Sequence, residues 1–397
     1  MIKTQGSIIA PKVRPNRLIK VLKGAKDGPT VVFFGGVHGN EPAGVQAIEK
    51  VLGGLQQEQG NIFGTVYGIA GNLAALELGV RYRTEDLNRI WQQERIEEIK
   101  SQDASKPHHE AQELREIYGQ LQLILNTHQP PFYFIDIHTT SSPTSPFIVM
   151  NDSLLNRRFT NHYPLPKVLG IEEYLHGALL SYINELGYVS FGFESGQHND
   201  PKAVEHTVHF MKFSLGLVGS LQVDKVWLAK ERMALQKTSA IPTTFFEITY
   251  EHHINQADKF KMLPGYVNFQ TVVRGDEIAI YNGSTIKAKK RNRLFMPLYQ
   301  KQGSEGFYFI RPIPPFFLWL SKQLRKYNFD HMLTWLPGIS WKDRTKRGLL
   351  INTKVARFMA KSFFHLLGYR VRSKGKHQLL LRSREAASKD AQYPNRW

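Results

Sequence analysis

Val31–Gly44 reads VVFFGGVHGNEPAG, and this stretch decides the fold. Four apolar residues run into the pair Gly35-Gly36, which predicts a buried strand ending in a tight turn. His38 and Glu41 follow, three residues apart. Asn40 and Pro42 then open a helical pattern, AGVQAIEKVL. An imidazole and a carboxylate are thus held at the carboxyl end of a strand, where open α/β sheets bind ligands. His-x-x-Glu suits a catalytic zinc site, for which His₂Glu is one ligand set. The pair alone fits equally a turn histidine and a first-turn acid facing the helix dipole, so a third ligand has to be found.

Two more strands end in such residues. Phe132–Ile137, FYFIDI, stops at His138, and Gly187–Phe193, GYVSFGF, stops at Glu194. Residues 18–24 and 61–70 also read as strands, and residues 108–126, 171–186 and 204–221 as helices. The alternation predicts an α/β domain with a mostly parallel sheet flanked by helices. Such a sheet brings its strand ends to one edge. His38, Glu41 and His138 then supply three ligands for one Zn²⁺ per chain. Glu194 is left as a carboxylate able to take a proton from water. Gly79–Trp91, GVRYRTEDLNRIW, reads as an ordered, charged loop. It offers Arg81 and Arg89 as cations, Asn88 as a two-way hydrogen-bonder and Asp86 as a local anchor. Guanidinium forks match carboxylates, and Zn²⁺ with two arginines makes the site electropositive, so an anionic substrate is expected.

Beyond residue 240 the pattern changes. Ile241–Ile313 holds short β-rich runs punctuated by glycines, which predicts a smaller C-terminal all-β domain. The expected division is a catalytic α/β domain over 1–225, a β-rich domain covering the active site over 226–315, and a basic α+β extension over 316–397. The chain of 397 residues carries a net charge of +18, unevenly spread. Phe316–Trp397 has 18 Lys/Arg against 4 Asp/Glu, whereas the preceding residues have 34 against 30. In the extension, Phe316, Phe317, Leu320, Leu324 and Tyr327 fall near helical spacing, with Lys322, Arg325 and Lys326 between them. Val355–Leu367 repeats the theme, and Tyr369–Arg372 with His377–Arg382 reads as a hairpin. The apolar stripes either pack on the enzyme body or lie on an anionic membrane surface. Nucleic acid ranks last, because no nucleic-acid motif accompanies the charge.

The chain has no cysteine, so disulfides and thiolate metal sites are excluded and metal ligands must be His, Asp or Glu. The N-terminal residues show no signal-peptide run. The most apolar stretch, Pro312–Leu320, is too short to span a bilayer. A cytoplasmic protein, peripheral to a membrane if the extension binds one, is expected.

On these motifs the chain resembles the succinylglutamate desuccinylase/aspartoacylase family, related to the zinc carboxypeptidases. GGVHGNEPAG resembles its first zinc motif, DLNR at Asp86–Arg89 its substrate motif, and DIHTT at Asp136–Thr140 its third-ligand motif. FESGQH resembles the segment carrying its catalytic glutamate. The resemblance runs from about residue 30 to about residue 313 and does not extend to Phe316–Trp397. It implies a zinc-carboxypeptidase-like fold and zinc held by His38, Glu41 and His138. It also implies Glu194 as general base and then acid, Arg89 polarising the scissile carbonyl, and Asn88 and Arg81 contacting the substrate. The implied activity is deacylation of a small anionic N-acyl amino acid. One departure bears on the substrate. Aspartoacylases carry a further carboxylate-binding arginine about ten residues before the catalytic glutamate, and no arginine lies near Asn184 here. Alternatives are a carboxypeptidase or ester hydrolase with the same centre, or a non-catalytic scaffold whose basic segment binds anionic lipid or nucleic acid. His198 is a further candidate for lining the site. The pairs His206/His209, His252/His253 and His108/His109 read as structural or solvated.

Overall fold

The computed structural model describes residues 15–101, 109–327, 329–344, 348–352, 354–355, 361–373 and 378–394. Its core is a twisted sheet. The strands β1 (Leu18–Lys23), β2 (Lys26–Gly35), β3 (Phe63–Ala70), β4 (Phe132–Thr140), β5 (Phe147–Met150), β6 (Lys167–Leu169), β7 (Val189–Gln197) and β8 (Phe245–His253) form most of it. Three of the strands that follow, β9 (Phe260–Met262), β11 (Glu277–Tyr281) and β12 (Ser284–Lys287), pair into a small separate sheet. The rest, β10 (Thr271–Val272), β13 (Asn292–Phe295) and β14 (Glu305–Pro312), complete the central one in the order β1-β3-β2-β4-β7-β5-β6-β8-β14-β13-β10. From β1 to β8 five of seven pairings are parallel. The antiparallel region beyond is the expected C-terminal β region, and through β6–β8 it extends the central sheet.

β2 shows why the sheet sits where it does. Alternate residues of a strand face opposite sides. Val31 and Phe33 pack with Ala47, Ile48 and Val51 of α1 (Ala43–Leu55) and with Phe210 and Met211 further along the chain. Val32 and Phe34 pack on the other face with Leu114, Ile117 and Leu121. Those last three lie on the helix His109–Thr127, expected from its periodicity. Phe210 and Met211 lie on the helix Pro201–Leu217. Both faces of β2 are closed to water, which accounts for its unbroken apolar run.

Residues 171–186 depart from expectation. Only Ile171–Glu173, as a 3₁₀ turn, and Leu179–Glu185 are helical. Gly177 interrupts them with φ of +71°, and a Cβ there would meet the Arg89 carbonyl oxygen at 2.2 Å. A helix cannot continue through a left-handed residue, and only glycine fits so close to the loop carrying Arg89. β5 and β6, FIVM and KVL, were not expected, because four and three residues are too few to show a period.

The basic extension folds. Helix Pro315–Lys326 leads into four antiparallel strands, β15 (Ile339–Trp341), β16 (Gly348–Asn352), β17 (Tyr369–Ser373) and β18 (Gln378–Ser383), ordered β15-β16-β18-β17. The expected hairpin is β17–β18, though residues 374–377 lie outside the described residues. Of the helical stretch Val355–Leu367, Lys361–Leu366 is helical and residues 356–360 lie outside the described residues. Leu333, Ile339, Leu349, Ile351, Phe364 and Leu381 form a core of their own.

Polar contacts fasten this unit to the body. The Arg325 side chain is fully buried, and its guanidinium donates to Asp152 Oδ2 at 2.7 Å and to Glu385 Oε1 at 3.1 Å. Arg384 pairs with Glu172 at 2.7 Å and Glu173 at 2.5 Å. Burial works against charge on Asp152, yet Arg157, Arg325 and Arg384 hold its carboxyl far below the usual range. Removing one partner of such a buried set costs about 3–5 kcal/mol, because the other charge is stranded. The Tyr393 hydroxyl ties the C-terminal end down, donating to the Phe132 carbonyl at 2.6 Å and accepting from the Val189 amide at 2.9 Å. No described helix is long and apolar enough to cross a membrane.

Candidate active site

Three neighbouring strands, β2, β4 and β7, run parallel, with Gly35 opposite Ile137 and His138 opposite Glu194. Their carboxyl ends therefore lie side by side. His38 and Glu41 sit on the turn after β2. That turn passes so close to the segment Leu73–Leu78 that a Cβ on Gly39 would meet the Ala75 carbonyl carbon at 2.1 Å. His138 and Glu194 lie within β4 and β7, and Glu194 is not the last residue of its strand.

His38, Glu41 and His138 are all buried, and each offers a ligand atom within 4.8 Å of the others. Nδ1 of His38 lies 2.9 Å from Glu41 Oε1, and Nδ1 of His138 lies 3.0 Å from Glu41 Oε2. The opposite ring nitrogens are engaged as well. Nε2 of His38 is 3.1 Å from Asp86 Oδ1, and Nε2 of His138 is 2.7 Å from Asp136 Oδ2. A carboxylate on Nε2 draws the proton there and leaves the Nδ1 lone pair facing inward, as in metal-binding histidines. Lying 2.9 and 3.0 Å from the two Glu41 oxygens, the Nδ1 atoms need positive charge between them and the carboxylate, carried by a proton or by a metal cation. The charges of the groups say the same. Burial pushes Glu41 up, yet the two imidazoles hold it well below the usual carboxylate range. Burial pushes His138 down, yet Asp136 and Glu41 lift it well above the usual imidazole range. Two imidazole nitrogens and one carboxylate are a ligand set for Zn²⁺, which binds as the rings give up their Nδ1 protons.

Glu194 stands beside this set. Burial raises its carboxyl to about 8, with Glu41 and Asp136 adding to the effect and His138 opposing it. Its Oε2 is buried and makes no hydrogen bond among the described residues.

The loop before Trp91 forms the facing wall, and Glu110 shapes it. The Glu110 carboxylate accepts from the backbone amides of Arg83 at 2.7 Å and Thr84 at 3.1 Å. Asp86 caps the 3₁₀ turn Leu87–Arg89, accepting from the Asn88 amide at 2.9 Å, and also receives Arg81 Nε at 3.0 Å. Asn88 Oδ1 accepts from the Leu179 amide at 2.9 Å, which leaves its Nδ2 donors for the cleft. Arg89 donates to both oxygens of Glu305, at 3.1 and 3.2 Å. Burial favours the neutral acid at Glu305, and Arg89 overrides it, holding Glu305 below the usual range.

Glu305 was not foreseen. It begins β14, far from every motif in sequence, and no spacing links it to Arg89. The segment before it closes over the cleft as well. Gln302 accepts from the Arg81 amide at 3.1 Å, and Gln300 reaches His198 Nε2 at 3.2 Å. His198, whose Nδ1 is 2.7 Å from Thr139 Oγ1, lines the cleft, and burial lowers its ring below the ordinary imidazole value. His206 instead contacts the Ser195 carbonyl, and His209 pairs with Glu231. His253 contacts Glu251, and the His252 ring stacks on Phe307. His109 contacts Arg83, and His108 lies outside the described residues.

All eight of His38, Glu41, Arg81, Asn88, Arg89, His138, Glu194 and His198 line one cleft. One expectation changes. Asp86, Asp136 and Glu305 add three carboxylates to Glu41 and Glu194, against Arg81 and Arg89. Without a bound cation the site is therefore net acidic, and two arginines alone do not make it electropositive. The rest of the lining mixes apolar Val149, Met150, Ile171, Leu175, Leu180 and Leu298 with polar Ser141, Asn151 and Ser181.

Residues 27–198 match the model of the succinylglutamate desuccinylase/aspartoacylase catalytic domain. The family comprises deacylases acting on amide bonds. The chain is 34% identical over 112 residues to an N-acyl-aromatic-L-amino acid amidohydrolase (carboxylate-forming) of Xenopus tropicalis, covering 28% of this chain and 34% of the relative. The same holds for the Xenopus laevis counterpart, so the chain spans about a third of the length of the curated relatives it matches. Among solved structures, a succinylglutamate desuccinylase/aspartoacylase from Rhodobacter sphaeroides superposes with a TM-score of 0.55 at 18% identity, over 74% of this chain and 88% of that one. A succinylglutamate desuccinylase from Vibrio parahaemolyticus gives 0.53 at 12% identity, over 73% and 83%. At such identities these likenesses speak for the fold.

Proposed function

We propose that the chain is a zinc-dependent amidohydrolase that removes the acyl group from an N-acyl amino acid. The observation that carries this reading is the convergence of both Nδ1 atoms on Glu41 beside the unpaired, buried Glu194 carboxyl. Zinc at His38, Glu41 and His138 would supply a Lewis acid for the scissile carbonyl and lower the pKa of water towards ~7. Glu194 takes the proton from the attacking water and returns it to the leaving nitrogen. Arg89, oriented by Glu305, donates to the carbonyl oxygen as charge develops on it. Asn88 Nδ2 and Arg81 hold the substrate carboxylate. The β strands from Phe245 to Pro312 act as the cover, and the division at about residues 225 and 315 describes the working parts of the chain.

The substrate we favour has a single carboxylate and an apolar remainder. Arg81 and Arg89 are the arginines lining the cleft among the described residues, both already face acids, and Val149, Met150, Ile171, Leu175, Leu180 and Leu298 supply apolar lining. The amidohydrolase activity named for the Xenopus relatives agrees with this class. The test is a panel of N-acyl amino acids and their carboxamides, followed by release of the free amine. A hydrogen bond to a charged group contributes roughly 1.5–3 kcal/mol, so amidation is expected to lower kcat/KM by about one to two powers of ten. N-acyl phenylalanine is expected to exceed N-acyl aspartate. Equal rates on acid and amide would remove Asn88 and Arg81 from substrate binding.

A further inference from the structure

The helix Pro315–Lys326 is mounted the wrong way round for a soluble protein. Leu318, Ser321 and Arg325 share one face, and that face turns inward: Ser321 and Arg325 are buried, and Ser321 Oγ donates to the Leu366 carbonyl at 2.7 Å. Phe316, Trp319, Gln323 and Tyr327 recur at i, i+3, i+7 and i+11, which places them on the opposite face. There Phe316 is 59% exposed, Trp319 56% and Tyr327 71%. The aromatic stripe therefore does not pack on the enzyme body. The next segment continues it, with Met332 exposed and Trp335 at 80%. Val355, also exposed, closes against Gly338 just beyond Trp335. Exposed apolar side chains are ordinary singly, but several aromatics along one helix face, with the Phe316 and Trp319 rings 6.0 Å apart, mark a contact surface.

Charge indicates what covers it. Lys322 and Lys326 flank the helical stripe and Lys354 stands beside Val355, all exposed. The helix carries no acid. The extension as a whole has 18 basic residues against 4 acidic ones. Many of its inward-facing arginines are neutralised by acids of the body, as Arg325 is by Asp152 and Arg384 by Glu172 and Glu173, but these lysines face away. A second copy would bring the same basic surface against itself, since a two-fold contact meets its own image. An anionic lipid surface answers both features. Trp and Tyr settle at the headgroup level with an apolar ring and a polar tip, while flanking lysines reach the phosphates.

We propose that the face formed by Phe316, Trp319, Tyr327 and Trp335, rimmed by Lys322 and Lys326, docks the enzyme on an anionic membrane as a peripheral protein. This stands apart from the hydrolytic reading, because none of these residues lines the cleft.

The test uses the full zinc-loaded chain and sedimentation with two vesicle types. One is phosphatidylcholine alone, and the other contains roughly one part phosphatidylserine to two parts phosphatidylcholine. The expected result is at least tenfold tighter binding to the anionic vesicles, weakening as salt rises. Trp319→Ser with Trp335→Ser, and separately Lys322→Gln with Lys326→Gln, are each expected to lower binding about tenfold or more with soluble turnover and melting temperature unchanged. No binding by the native chain overturns the proposal. So does native-level binding by either variant, or a dimer in solution that the tryptophan substitutions dissociate. Tighter binding to a single-stranded RNA oligonucleotide than to the anionic vesicles, lost in the same variants, assigns the face to nucleic acid and overturns it too.

Discussion

Glu194→Gln is expected to lower kcat by about 10²–10⁴-fold while zinc content stays at the native level. Glutamine keeps the shape of the side chain and removes its capacity to accept a proton. In the metal-free protein the Glu194 carboxyl is neutral at pH 7, since burial raises it to about 8. It can work as a base only when a cation sits nearby, so site charge and catalytic role are linked. The same substitution has a second readout in metal-stripped protein. The Glu194 pKa in the folded state lies above its ordinary value of 4.5, so its contribution to stability is full below pH 4.5 and is lost as pH rises through about 8. Glu194→Gln should therefore leave the melting temperature of the stripped protein unchanged near pH 4 and raise it at pH 8. Near-native turnover in the variant would shift the base to another group, with His198 the nearest candidate in the cleft.

His138→Ala is expected to abolish stoichiometric zinc, read by elemental analysis of the purified protein, and turnover with it. Two ligands remain, His38 and Glu41, and a catalytic zinc commonly needs three. The loss goes beyond one ligand. His138 also separates Asp136 from Glu41, contacting one through Nε2 and the other through Nδ1. Alanine leaves two buried carboxylates without their shared partner, so the stripped variant should melt below the native protein. Retention of one zinc per chain would rule out His138 as a ligand.

Much of the site could be read from the chain because its groups sit where local rules are strong. A buried apolar run leading into a histidine or glutamate recurs at Gly35–His38, Ile137–His138 and Phe193–Glu194, and parallel pairing puts the three together. Glu305 stayed hidden because it reaches Arg89 only through the folding of the β region over the cleft. Its arrival also changes the charge balance that two arginines alone suggested. Residues 171–186 misled because their apolar spacing is helical, while Gly177 answers to the close passage of the Arg89 loop. The helix Pro315–Lys326 teaches a related lesson. The spacing of Phe316, Phe317, Leu320, Leu324 and Tyr327 made the helix legible, but the stripe left exposed is Phe316, Trp319 and Tyr327. Period says which residues share a face, not which face is covered. A buried arginine with two acids waiting for it, Asp152 and Glu385, turned that helix over.

The most direct measurement is hydrolysis of an N-acyl amino acid by metal-stripped protein during titration with Zn²⁺. The expected result is no turnover at the start, a linear rise, and a break at one equivalent per chain, with chelator reversing it. Full turnover in the stripped protein, or a fully zinc-loaded chain that cleaves no N-acyl amino acid, contradicts a zinc-dependent amidohydrolase built on His38, Glu41, His138 and Glu194.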